Sequence, residues 1–269
     1  VGFTGSTKTG SHLYSLAAKD IKRVSLELGG KSPNIVFDDA DLDNAVRGVV
    51  GGIFGAVGQT CIAGSRLLLH RKVHDQFLEK LTAFTKTAPI GDPKHKDTRI
   101  GPIANSMQYE KILGYIDVAR QEGADLLLGG KRPDIAECQA GFFIEPTIFA
   151  NVRNDMRIAQ EEVFGPVLAA ISFDEVEEAI EIANDSEFGL AAGVWTGNMR
   201  RAILMSERLE AGSVWVNTYR DVSYTTPFGG YKKSGIGREN GIEGIREFLQ
   251  TKAVWLSTAE EIANPFVIG

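Results

Sequence analysis

The chain has 269 residues, 43% of them apolar and 24% charged, which is the balance of a soluble globular protein with room for one large or two ordinary domains. Its formal charge of -6, with 29 Lys and Arg residues scattered along the chain, leaves no basic footprint for nucleic acid. Two cysteines are too few for a disulfide framework, four histidines never fall in a metal-ligand spacing, and no apolar run has the length of a membrane span, so the expectation is a cytoplasmic protein with free thiols and neither metal nor membrane.

Val1 to Phe3 reads as the end of a strand and runs into Thr4-Gly5-Ser6-Thr7-Lys8-Thr9-Gly10, ahead of a helical stretch around Leu13 to Ala18. Backbone N–H groups at such a helix start can hold a phosphate, but the run has only two of the three glycines of a dinucleotide fingerprint, and an ordinary turn explains it equally well. A strand that opens a chain without its neighbours carries the expectation of missing upstream sequence. Next comes Leu26-Glu27-Leu28-Gly29-Gly30-Lys31-Ser32-Pro33. Glu27, between two leucines and beside two glycines, is a partly desolvated carboxylate whose pKa would rise toward that of a useful base; an ion pair with Lys22, Arg23 or Lys31 is the competing reading.

From Asp41 the apolar residues Leu42, Ala45, Val46, Val49, Val50, Ile53 and Phe54 recur at steps of three and four, which predicts a helix with one buried face. Asp38, Asp39 and Asp41 supply its start. Gly48, Gly51, Gly52 and Gly55 each cost such a helix roughly 1 kcal/mol against Ala, so something must pack closely there. The helix delivers Cys61, in Gly58-Gln59-Thr60-Cys61-Ile62-Ala63-Gly64-Ser65-Arg66, to a crowded place. A thiol among small residues is open to substrate, whereas a cysteine without context is a small buried hydrophobe. An activated thiol would alkylate well below the pH at which free cysteine does.

Beyond Cys61 short apolar runs alternate with amphipathic ones: Leu67 to Leu69, Val73 to Phe84, a helix through Ile112, Ile116 and Ala119 ended by Gly123, then Leu126 to Leu128. Cys138 falls in a polar loop with no base nearby in sequence and reads as incidental. Glu161-Glu162-Val163-Phe164-Gly165-Pro166 precedes a strand, a place suited to holding a sugar hydroxyl and covering a flat ring, though solvated acids beside a core Phe would look the same. The clearest βαβαβ series follows: strand Val167 to Phe173, helix Glu175 to Asn184, strand Ala191 to Trp195, helix Met199 to Leu209 behind Asn198, strand Ser213 to Asn217. It predicts an α/β fold with a parallel sheet covered by helices on both faces. Residues 225 to 235 are glycine-rich and aperiodic, hence a functional loop, and a short helix follows. Gly235 to Gly241 imitates the dinucleotide fingerprint but follows a loop and is discounted. The last apolar run, Ala253 to Leu256, would be an edge strand that needs another subunit to pair with it.

In this order, Phe3 to Thr7, Leu26 to Pro33, Gly58 to Cys61, Glu161 to Pro166, Asn217-Thr218 and Pro227-Phe228-Gly229-Gly230-Tyr231-Lys232 with Ser234-Gly235 resemble the C-terminal half of the NAD(P)-dependent aldehyde dehydrogenase family. The resemblance implies that Cys61 attacks an aldehyde carbon, that its backbone N–H holds part of the oxyanion, and that Glu27 activates the water that hydrolyses the thioester. It implies NAD or NADP as cofactor, with Glu162 at the nicotinamide ribose, Phe164 beside it, Thr4 near the nicotinamide, Ser6 near the pyrophosphate, and Gly5 also among the cofactor-binding residues. Glu239 matches a family acid that relays protons from the base.

The same resemblance implies the end of a Rossmann-like cofactor domain at residues 1–29, a catalytic domain at 30–228, and a return segment with an oligomerisation strand at 229–269, in a homo-oligomer acting on a small-molecule aldehyde. The family's second oxyanion donor and its adenosine site would lie upstream of Val1, so this polypeptide alone is expected to be nearly or wholly inactive. The alternatives are a CoA-acylating dehydrogenase, which would have no need of Glu27, and a non-catalytic assembly fragment. Thr60, Ile62 and Tyr219 to Ser223 would line the substrate pocket. There Arg220 could meet an acidic aldehyde, or instead bind Asp221 or a backbone carbonyl.

Overall fold

In the computed structural model, which describes residues 1–267, the chain begins with β1 (Gly2–Thr4), α1 (Thr7–Ala18), β2 (Ser25–Glu27) and β3 (Pro33–Val36). β1 pairs parallel with β2, and Thr4 lies opposite Glu27. The turn after β1 therefore sits beside the candidate base from the outset. α2 (Leu42–Phe54) forms as its periodicity predicts, with the Asp41 carboxylate accepting from the backbone N–H groups of Asp43 and Asn44. Gly48 lies against the Trp195 indole and Gly52 against the Tyr219 ring, so two of its glycines make room for aromatic rings. Gly51 has no such neighbour, contrary to the expectation.

Then follow β4 (Arg66–His70), α3 (His74–Thr85), α4 (Ser106–Gln121), β5 (Asp125–Leu128), β6 (Thr147–Ala150), α5 (Arg157–Gln160), β7 (Val167–Phe173), α6 (Val176–Asn184), β8 (Phe188–Gly189), β9 (Ala191–Trp195), α7 (Met199–Arg208) and β10 (Ser213–Val216). The chain closes with β11 (Tyr231–Lys232), β12 (Gly235–Ile236) and α8 (Gly241–Arg246). The main sheet has seven strands in the order β10-β9-β3-β4-β7-β6-β5. Its strands are parallel except β5, which runs antiparallel to β6 with a register shift between Leu126 and Leu128. The expected βα alternation thus stops at this edge.

β3 and β9 are buried along their whole length, and residues of α2, α3, α4, α6 and α7 share one apolar core with the strands, so both faces of the sheet are covered. β1, β2 and β12 form a smaller sheet over a separate cluster of Ala17, Val24, Leu26 and Leu28. The glycine-rich stretch 225 to 235 is not wholly irregular, because β11 pairs with β8 and β12 pairs antiparallel with β2. Ala253 to Leu256 forms no strand, and Trp255 is 93% exposed. Among the described residues no strand edge is paired with it. The last two residues of the expected return segment, 268 and 269, lie outside the described residues.

The candidate active site

Three loops meet at the amino-terminal ends of β3, β4 and β7: Gly29 to Ser32, Gln59 to Ser65 and Glu162 to Pro166. They approach backbone to backbone. A Cβ on Gly30 would lie 2.5 Å from the carbonyl oxygen of Cys61, and one on Gly58, whose φ is +67°, would strike the carbonyl of Gly165. A Cβ on Gly29 would meet the Glu162 carboxylate at 2.5 Å, and the Gly30 N–H donates to Glu162 Oε1 at 3.1 Å. The glycines beside the candidate base are thus where the acid and the nucleophile's loop seat themselves.

Thr4, Gly5, Ser6, Glu27, Cys61, Glu162 and Phe164 line one cleft of about 500 Å³, together with Thr60 and two α4 residues, Gln108 and Lys111. Ser6 caps α1, accepting from the Thr9 N–H, so the helix start faces the cleft. Phe164 takes a left-handed φ of +57°, and the Gln108 side-chain amide holds it there by donating to the carbonyls of Val163 and Phe164 at 2.9 and 2.8 Å. The sequence reading missed Gln108 and Lys111. The signal for Gln108 is a polar residue four places before Ile112, on the helix face that is otherwise apolar.

Glu239 is not in this cleft; it lines a neighbouring groove with Gly2, Ser25 and Tyr224. Tyr219 and Arg220 also lie apart from it. The Tyr219 ring packs beneath the Cys61 loop, and Arg220 donates to the backbone carbonyl of Gly51 at 3.2 Å, the backbone contact foreseen as an alternative to meeting an acidic aldehyde. Cys138 is fully buried in a 3-10 turn rather than held in an open loop.

Glu27 is 3% exposed, and neither carboxylate oxygen has a hydrogen-bond partner among the described residues. The competing ion-pair reading fails: Lys22 pairs with Asp20, Arg23 donates to the carbonyl of Leu249, and the Lys31 ammonium has no hydrogen-bond partner among the described residues. Burial, reinforced by the charge of Glu239 and opposed by Arg238, raises the Glu27 pKa to about 8. Burial also raises Glu162, against the Gly30 N–H and the charges of Lys111 and Lys31. Glu161 points the other way, bound by Arg157 and Tyr115, and its pKa falls to about 2. Of the two adjacent acids, only Glu162 serves the cleft.

The Cys61 thiol is pushed up by burial and by the charges of Glu27 and Glu162, while the N–H groups of Ile62 and Cys61 act in the opposite direction. This direction is that of a buried cysteine rather than of a thiol already activated in the free chain. No cation appears among the causes of the shift. As for a dinucleotide, the cleft offers a helix N-terminus at one wall, an inward carboxylate at another, and buried oxygens of Glu27 and Thr60 that have no partner among the described residues. These residues fit such a group.

A profile of the aldehyde dehydrogenase family matches residues 1–254. The chain belongs to this family. It is 45% identical over 266 residues to the betaine aldehyde dehydrogenase of Mesorhizobium japonicum, covering 99% of this chain and 54% of that protein. Among solved structures, the betaine aldehyde dehydrogenase of Staphylococcus aureus in complex with NAD+ superposes with a TM-score of 0.96 at 42% identity, over 99% of this chain and 54% of that one. An NAD-dependent aldehyde dehydrogenase from Sinorhizobium meliloti gives 0.95 at 43% identity, over 99% and 52%. The chain thus spans about half the length of the aldehyde dehydrogenases it matches. The sequence-level resemblance to this family, and the α/β fold it implied, hold.

Proposed function

We propose that the protein to which this chain belongs oxidises an aldehyde to a carboxylic acid with NAD or NADP, with Cys61 as nucleophile and Glu27 as base. The observation that carries the reading is the meeting of Cys61, Glu27 and Glu162 in one cleft walled by the α1 N-terminus. Glu27, with a pKa near 8, takes the thiol proton of Cys61 as the sulfur adds to the aldehyde carbon. The Cys61 N–H stabilises the resulting thiohemiacetal oxyanion. NAD(P)+ supplies the hydride acceptor. Once hydride loss has left a thioester on Cys61 and Glu27 has given up the thiol proton, Glu27 takes a proton from water as that water attacks the thioester, releasing the acid and the thiol.

Glu162 and Phe164 would hold the nicotinamide ribose and ring, with Thr4 beside the nicotinamide and Gly5 and Ser6 at the pyrophosphate. Glu239, which faces Glu27 electrostatically, would pass its proton outward. Residues 1–29 with the small sheet would close the cofactor domain, 30–228 would form the catalytic domain, and the terminal segment would join copies of the protein. The Glu27 carboxylate favours water over CoA as the acyl acceptor.

p-Nitrophenyl acetate tests this without cofactor. The chain should release a burst of p-nitrophenolate equal to its own concentration and carry the acetyl group on Cys61. Cys61→Ala should abolish the burst. Glu27→Gln should slow both the burst, whose thiol proton Glu27 takes, and the steady phase, each by about 100-fold or more, the usual worth of a positioned general base. Acetylation elsewhere, or an unchanged steady phase in Glu27→Gln, would refute the assignments. With NAD+ and an aldehyde the chain by itself should show almost no turnover, since loss of one oxyanion donor alone costs about 10²- to 10³-fold.

A further inference from the structure

Tyr219 stands two residues beyond Asn217, which bonds the backbone of Thr196 through both side-chain atoms, so the turn after β10 is held firmly against β9. The tyrosine ring then runs inward under the loop that carries Cys61. Three glycines make its slot: a Cβ would lie 2.9 Å from the ring at Gly52 of α2, 3.0 Å at Gly64, and 2.5 Å at Gly193 of β9. Trp215 closes the slot, its ring centroid 4.8 Å away, and its indole N–H is fixed on the carbonyl of Asp221.

At the end of this slot the Tyr219 hydroxyl donates to the carbonyl of Ile62 at 3.0 Å. Among the described residues it is the only side chain bonded to the backbone of Thr60 to Gly64. On the other side of the loop the Cys61 carbonyl rests on Gly30, too close for any side chain there. The two peptide groups that flank Ile62 are therefore both held, one at the Cys61 carbonyl by Gly30 and the next at the Ile62 carbonyl by Tyr219, and the Ile62 N–H that acts on the Cys61 thiol lies between these holds.

We propose that Tyr219 is a positioning residue for the nucleophile: its hydroxyl fixes the Ile62 carbonyl and thereby keeps the adjoining N–H aimed at the Cys61 sulfur. The inference rests on Cys61 being the nucleophile, and its test is independent of turnover. The titratable groups that face the thiol are Glu27 from the end of β2, Glu162 from the loop before β7 and Tyr219 itself, and replacing Tyr219 leaves both carboxylates in place. A lost N–H donor weakens the thiolate.

The test is the pH profile of Cys61 alkylation by iodoacetamide, followed on the Cys61 peptide by mass spectrometry so that Cys138 does not contribute. Tyr219→Phe keeps the ring and removes the donor; its midpoint should move up by about half a pH unit or more. Gly52→Ala presses on the ring from α2 while raising helix propensity, and should shift the midpoint in the same direction, which keeps the proposal testable if Tyr219→Phe fails to fold. Tyr115→Phe, which loses a hydroxyl bonded to Glu161, should leave the midpoint in place. Superimposable profiles for the parent and Tyr219→Phe, or for the parent and Gly52→Ala where Tyr219→Phe does not fold, would overturn the proposal alone. A parent Cys61 that reacts at no pH would overturn it together with the nucleophile assignment.

Discussion

Two buried titratable groups set how stability responds to pH, and in opposite senses. Glu27 has its pKa raised from 4.5 to about 8 by burial, so the native state favours its protonated form. Stability from this group is full below the unfolded pKa and falls as pH rises toward 8. Glu27→Gln should therefore raise the melting temperature, by an amount that grows between pH 5 and 8 and then levels, reaching on the order of a few kcal/mol. Thermal unfolding by circular dichroism across that range checks it. Lys31 has its pKa lowered from 10.5 to about 7 by burial and by Arg66, so its contribution is full above pH 10.5 and lost as pH falls to 7. Lys31→Met should accordingly stabilise the chain near pH 7 and make no difference near pH 10.5. Cys61 and Glu27 stood out as candidates in the sequence for the small residues beside them, and Glu162 for its place in the run Glu161 to Pro166 ahead of a strand. The direction of the Cys61 shift was not, because it depends first on burial under the assembled loops and then on two carboxylates brought in from positions 27 and 162.

Helices were legible wherever period and cap agreed, as in α2 behind Asp41 and α7 behind Asn198. What local pattern could not give was partnership: β6 is only Thr147–Ala150, and nothing in that run says that it takes β5 antiparallel on one side and β7 parallel on the other. Arg66 illustrates the same limit. It opens β4 just ahead of the apolar run Leu67 to Leu69, yet it is 1% exposed and donates to the carbonyls of Lys31, Ile182 and Ala183 and to Asn154 Oδ1. One side chain thereby ties β4, the approach to β3 and the end of α6. Arg66→Met should leave these acceptors unpaired and cost about 3 kcal/mol or more, read as a fall in the urea midpoint with little change in slope.

At the scale of the whole chain, the unpaired feature is the segment after Leu249, where Val254, Trp255, Leu256, Ile262 and Phe266 are exposed without forming a strand. Apolar surface of this kind drives association. The parent should sediment as a concentration-dependent oligomer, and a chain ending at Leu249 as a monomer; sedimentation velocity over a tenfold range of concentration decides between them. The other large-scale feature is the gathering of Cys61, Gly30 and Glu162 at the amino ends of their strands. Its consequence is practical: turns that leave the same sheet at its opposite rim, such as the exposed Asp174-Glu175 after β7, are separated from the chemistry by the length of the strands. A fluorophore or affinity handle grafted there would report on the folded chain while the cleft stays open to substrate.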